Sequence, residues 1–258
     1  MLIEPTKISA QNIIIFLLAL FLSVLFHSNV GSVSAIEEKS GVTTSTIHTY
    51  AHQVKRGESS WLLSREYCAL DHIPKNLKRG QVVGIRVDRQ IVFNTITAFS
   101  SNYGLPETEL SYIINSIFDL SMEYRLPPCL IFAIIDVESL FRQTSISRRG
   151  ALGLMQVMPF HAPALGIKAR DLYQDVTINM QSGVRILKSK SDYYDREDWF
   201  VAYNTGSKFT LKQSFKGNPV DVAHRYRTLV LESLSNIYKV YQVRSISEIE
   251  NDKGIRND

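Results

Sequence analysis

Residues 127–141 read Pro-Pro-Cys-Leu-Ile-Phe-Ala-Ile-Ile-Asp-Val-Glu-Ser-Leu-Phe, an apolar run broken by two carboxylates. Proline suits a helix start because the first-turn N–H groups have no intrahelical partner there, so Cys129 to Phe141 is expected to form one helix. On a 3.6-residue period the neighbours of Glu138 are Ile131, Ile134, Ile135 and Phe141, while Asp136 points elsewhere. A carboxyl among apolar groups is poorly solvated, which disfavours its ionised form and raises its pKa toward neutrality. A general acid needs that property. A Glu near a helix end can equally reach water or a cation such as Arg142, and only the segments that follow favour the acid.

Fifteen residues after Glu138 the chain reads Gly153-Leu154-Met155-Gln156, within Ser147–Pro159, where two glycines mark a turn or a close backbone approach and Gln156 presents an amide. Trp199-Phe200-Val201-Ala202-Tyr203-Asn204 ends at Thr205-Gly206, so Tyr203 and Asn204 are placed at a helix C-terminus. Tyr226 falls early in a last long helix with Leu229, Val230, Ile237 and Tyr241 on its apolar positions. Each residue also has a plain structural reading. Gln156 could cap a turn, Tyr203 and Tyr226 could be core, and Asn204 could be an ordinary helix ending. Asp175 is read as the N-cap of a helix carrying Val176, Met180, Gly183, Val184 and Leu187.

In order along the chain, Glu138-Ser139, Gly153-Leu154-Met155-Gln156, Asp175 with Asn179 and Gly183, Ala202-Tyr203-Asn204 and Tyr226 resemble the catalytic domain of the soluble-lytic-transglycosylase type, a lysozyme-like fold that cuts peptidoglycan. The resemblance spans roughly residues 106–242. It implies that Glu138 is the catalytic acid/base, and that Ser139, Gln156, Tyr203 and Asn204 line sugar subsites while Tyr226 packs close to the acid. It further implies cleavage of the MurNAc-GlcNAc β-1,4 bond with formation of a 1,6-anhydro end, helped by the substrate's N-acetyl group, so that one carboxylate suffices where glycosidases ordinarily use two. Asp171, Asp175 and Glu197 remain open as a second carboxylate. Two stretches depart from the family's habit: Val222-Ala223-His224-Arg225 precedes Tyr226 where an acidic residue and a threonine are common, and Thr205-Gly206-Ser207 follows Asn204 in place of a small-residue turn with proline. Both bear on substrate preference more than on the acid.

Residues 13–26 form an apolar run shorter than the ~20 residues of a membrane span. With Lys7 before it and Val33-Ser34-Ala35 after, residues 1–35 read as a signal peptide; an uncleaved anchor is the alternative, and only that alternative brings in a membrane. Residues 36–105 are read as a linker followed by a small accessory region. Within it, Val54–Leu63 and Leu77–Ile85 resemble the two ends of a lysin motif, a glycan-binding module, with too short a middle for the second helix. A β-rich cap turning at Gly57 and Gly80 is the preferred reading. Val87 to Phe99 is expected to add one or two strands, and residues 243–258 to be a loose polar tail.

Cys68 and Cys129 would meet oxidising conditions on export, but they sit in different regions and the reading leans toward separate thiols. Neither is spaced like a metal-ligand pair and the six histidines make no cluster, so no metal or other cofactor is expected. Net charge is +4, which suits an anionic polymer such as peptidoglycan and is too mild to argue for nucleic acid. The expectation is thus a mainly α, exported protein of the periplasm or cell envelope, with a lysozyme-like helical catalytic domain and a small N-terminal α+β region. The alternatives are a hydrolytic muramidase and a catalytically silent wall-binding or envelope-assembly protein. Service to a secretion or conjugation apparatus is compatible with this reading, and no residue identifies such a partner.

Overall fold

In the computed structural model, which describes residues 46–69, 73–206 and 219–252, β1 (Ile47–Gln53) and β2 (Val82–Asp88) pair antiparallel, with Tyr50 opposite Ile85. Val83, Ile85 and Val87 are buried on alternate positions of β2, the period of a strand with one face on the core. Between the strands in sequence lies α1 (Ser60–Tyr67), started by the Ser59 hydroxyl, which accepts from the Leu62 N–H, and ended by Cys68 at a left-handed φ of 48°. Residues 73–81 add no second helix. This region is stitched into the helices that follow: Tyr50 Oη lies 2.6 Å from Ser121 Oγ, the Glu197 N–H donates to Arg56 O, and Arg79 pairs with Asp195. The described residues accordingly form one compact unit.

The strands expected after Val87 do not form. Asp88 caps a helix instead, its carboxylate accepting from the N–H groups of Gln90 and Ile91, and α2 (Arg89–Ser100) buries Val92, Thr95, Ile96 and Ser100 on a helical period. A polar cap at Asp88 outweighed the short alternation. After a 3-10 turn at Ser101–Tyr103 come α3 (Glu107–Tyr124) and α4 (Pro128–Ser139). α4 is buried from Pro128 through Asp136, because α1, α3 and α9 (Pro219–Asp252) all pack on it. It stops at Ser139, short of the expected Phe141, since Leu140 and Phe141 take left-handed φ values of 51° and 60°. Leu140 emerges into solvent while Phe141 turns back into the core.

Cys68 and Cys129 form a disulfide with Cα atoms 5.9 Å apart, correcting the expectation of separate thiols. Sequence distance hid this proximity, because α1 lies directly against α4.

Short helices α5 (Ala162–Leu165) and α6 (Asp171–Gln174) lead to α7 (Val176–Tyr193), capped as expected by the Asp175 carboxylate, which accepts from Thr177 and Ile178 N–H. α8 (Val201–Thr205) is one short turn ending at Gly206. α9 buries Tyr226, Val230, Leu234, Ile237 and Tyr241, whereas Leu229 is exposed. It also runs through to Asp252 with Ser245 buried, so the segment expected to be a loose tail is helical to that point. The signal-peptide reading lies outside the described residues. Among the described residues no helix is long and apolar enough to cross a membrane.

Candidate active site

Glu138 stands in the last turn of α4, half-buried, where the helix gives way to the two left-handed residues. Burial pushes its carboxyl up to about 7, against a weaker opposite pull from Tyr226 and Asn204, which favour the charged form. Desolvation therefore wins over hydrogen bonding. Tyr226 comes from α9 and Asn204 from α8, so three helices converge on one carboxyl. The Tyr226 hydroxyl is buried beside it and reaches no partner at full hydrogen-bond geometry, which leaves an O–H donor aimed into the site. Burial, then the nearby Glu138, keeps Tyr203 and Tyr226 far above the ordinary tyrosine range, so both are neutral.

The remaining expected residues make hydrogen bonds within the protein. The Ser139 hydroxyl donates back to Ile135 O at 3.1 Å and is buried. Gln156 Nε2 donates to the carbonyls of Gly153 (2.8 Å) and Ser145 (3.1 Å), so its amide fastens the loop it sits in. Gln156 itself holds φ at 50°, a costly conformation for a non-glycine residue that these bonds offset. Tyr203 Oη donates to Met155 O at 2.7 Å, which ties α8 to the same loop.

That loop is held by residues whose function the sequence did not disclose. Asn179, buried on α7, accepts from Met155 N–H (2.8 Å) and donates Nδ2 to Leu152 O (2.8 Å) and Leu172 O (2.7 Å). A Cβ at Gly153 would lie 2.3 Å from Asn179 Nδ2, and one at Gly183 would lie 2.4 Å from Met155 Sδ. The glycines are thus required by an interlock: Met155 seats on α7 only where Gly183 leaves room, and Asn179 grips the loop only where Gly153 does. A polar residue four positions before a helical glycine was the available signal.

No second carboxylate acts on Glu138 among the described residues. Of the three left open, Asp175 is occupied as a cap, Asp171 accepts from Lys168 N–H, and Glu197 lies against Gly57 and faces Arg227. Among the described residues no three His, Cys, Asp or Glu side chains converge as metal ligands would. A separate cavity of about 490 Å³ opens beside β1 and the end of α7. Of its four cations, Lys55, Arg79 and Lys188 are tied to backbone carbonyls, Asp195 and Asp192, Arg125 is the fourth, and the cavity includes none of the residues expected at the site.

A helical core whose buried central helix ends on one half-buried, easily protonated carboxyl is a lysozyme-like domain. Residues 115–218 match the family model of the transglycosylase SLT domain. Over 88 residues it is 35% identical to a protein named transglycosylase from Enterobacteria phage PRD1. That alignment spans 34% of this chain and 32% of the phage protein, about a third of each.

Proposed function

We propose that the protein is a peptidoglycan lytic transglycosylase in which Glu138 serves first as acid and then as base. The observation that carries the reading is the burial that lifts the Glu138 carboxyl to about 7, within a domain of the SLT family. Protonated Glu138 gives its proton to the glycosidic oxygen as the bond from C1 of N-acetylmuramic acid to that oxygen breaks. The carboxylate left behind takes the proton of the C6 hydroxyl as that oxygen attacks C1. The proton is returned, no water is consumed, and the product is a 1,6-anhydro sugar. The substrate's N-acetyl group is suited to support the positive charge at C1 between the two events, which fits a site with one carboxylate.

Tyr226 and Asn204 favour the charged form of Glu138, so they assist the half of the cycle in which it is a carboxylate. Gln156 and Tyr203 contribute by holding the Gly153–Gln156 loop, and Ser139 by closing the helix end. Peptidoglycan as substrate places the protein in the periplasm or cell envelope. Digestion of purified sacculi followed by mass spectrometry tests the reading. Anhydro-ended muropeptides, one water lighter than reducing-ended ones, are expected; reducing ends indicate a muramidase, and no release from sacculi indicates a binding or assembly protein.

A further inference from the structure

Asp136 lies two residues before Glu138 on α4, buried, in what is otherwise an apolar stretch. A carboxyl at such a place is costly unless its oxygens are satisfied. Both are: Oδ1 accepts from Tyr103 Oη at 2.5 Å and Oδ2 from Ser233 Oγ at 2.6 Å. The two donors come from opposite directions along the chain. Tyr103 closes the 3-10 turn after α2, and Ser233 sits on α9.

These partners lead back to the site. Ser233 is seven residues beyond Tyr226, two helical turns along, so the two share one face of α9. The pairs Asp136–Ser233 and Glu138–Tyr226 are therefore two rungs between the same two helices. The Tyr103 ring stacks on Phe141, with centroids 5.8 Å apart and planes 24° apart, and Phe141 is one of the two left-handed residues that end α4. Tyr103 thus holds the strained turn with its ring and Asp136 with its hydroxyl. We propose that Asp136 is a positioning residue for the acid: by gripping Tyr103 and Ser233 it fixes the last turn of α4 against α9, and so limits how far water reaches the Glu138 carboxyl beside Tyr226. This rests on the reading of Glu138 as the acid/base.

A merely structural Asp136 would change stability and leave the titration of Glu138 alone. A positioning Asp136 sets how well water is excluded from that carboxyl, and desolvation is the main cause of its raised pKa. Among the described residues, the side chains that act on Glu138 or feel its charge are Tyr226 from α9 and Tyr203 and Asn204 from α8, none of which changes charge near neutral pH. Ser233→Ala removes no carboxyl, so a movement of the Glu138 titration in that variant reports solvation.

The experiment is a 13C carboxyl NMR titration of Glu138 in the full chain, for wild type, Asp136→Asn and Ser233→Ala. In parallel, kcat and KM on sacculi are measured against pH. Loss of the grip admits water, so Glu138 should titrate about one pH unit lower in Asp136→Asn and by a smaller step in Ser233→Ala, which keeps the Tyr103 contact. The alkaline limb of kcat should move by the same amount, with KM within about twofold of wild type. Unchanged Glu138 titration in the variants overturns the proposal. Ser233→Ala, the milder change, decides alone if Asp136→Asn does not fold. The titration needs no turnover, so a wild type that releases no anhydro product would refute the functional reading while this test still stands.

Discussion

Among the described residues, two carboxyls are pushed toward the neutral form by burial, and only one is placed to use its proton. Glu66 on α1 is completely buried, neither of its oxygens has a hydrogen-bond partner, and burial followed by the charge of Glu58 raises its pKa well above the ordinary range. Beside it, Glu58 is engaged with His52 Nε2 at 2.8 Å and the Lys55 N–H at 2.7 Å. Glu66 itself has no surface open to solvent. Glu138, at about 7, is partly open and is met by a tyrosine hydroxyl and an amide that favour its charged form. A raised pKa therefore marks burial; a site also needs access and groups that stabilise the state after proton transfer.

The comparison is tested most severely by removing each acid in turn. Glu138→Gln should lower the rate of sacculus cleavage by about 10³-fold or more, the loss expected of a general acid, with the circular dichroism spectrum unchanged. Next in size is the covalent link between the two regions. Cys68→Ala/Cys129→Ala opens a bridge across 61 residues, and chain entropy alone puts the cost near 4 kcal/mol, read from denaturant midpoints. A midpoint unchanged by that double substitution would mean that packing alone holds α1 to α4.

Glu66→Gln should leave cleavage within about twofold, since it never meets substrate. Its signature lies in stability against pH. The folded state keeps the Glu66 proton after the unfolded chain has released its own, so stability is fully present below the unfolded carboxyl pKa and declines as pH rises toward the raised folded value. The slope is at most about 1.4 kcal/mol per pH unit for each such proton. Glu66→Gln should remove one proton's share of that decline, and Glu138→Gln another share ending near pH 7, with loss of activity confined to the second. Asp175→Ala, which deletes the α7 cap, should cost about 1 kcal/mol and lower the cleavage rate only slightly.

How legible this arrangement was in the sequence differs between the same two regions. Around Glu138 an apolar helix, a capped α7 and a Gly-ended α8 follow from local pattern, and each of those features appears in the fold. The grip of Asn179 on Met155 and the double contact of Asp136 were hidden, because both join residues far apart in the chain. In the N-terminal region the local pattern misled. The alternation after Val87 suggested strands where the Asp88 cap starts a helix, and the bridge from Cys68 depends on α1 meeting α4, which no periodicity encodes.

The central claim is that Glu138 holds a proton into the neutral range because its surroundings exclude water. The pH dependence of the rate of anhydro-muropeptide release measures this most directly. The rate should fall on the alkaline side with a midpoint near 7, as the acid becomes a carboxylate before substrate arrives. A rate that already declines through the ordinary carboxylate range, between about pH 4 and 5, would contradict it.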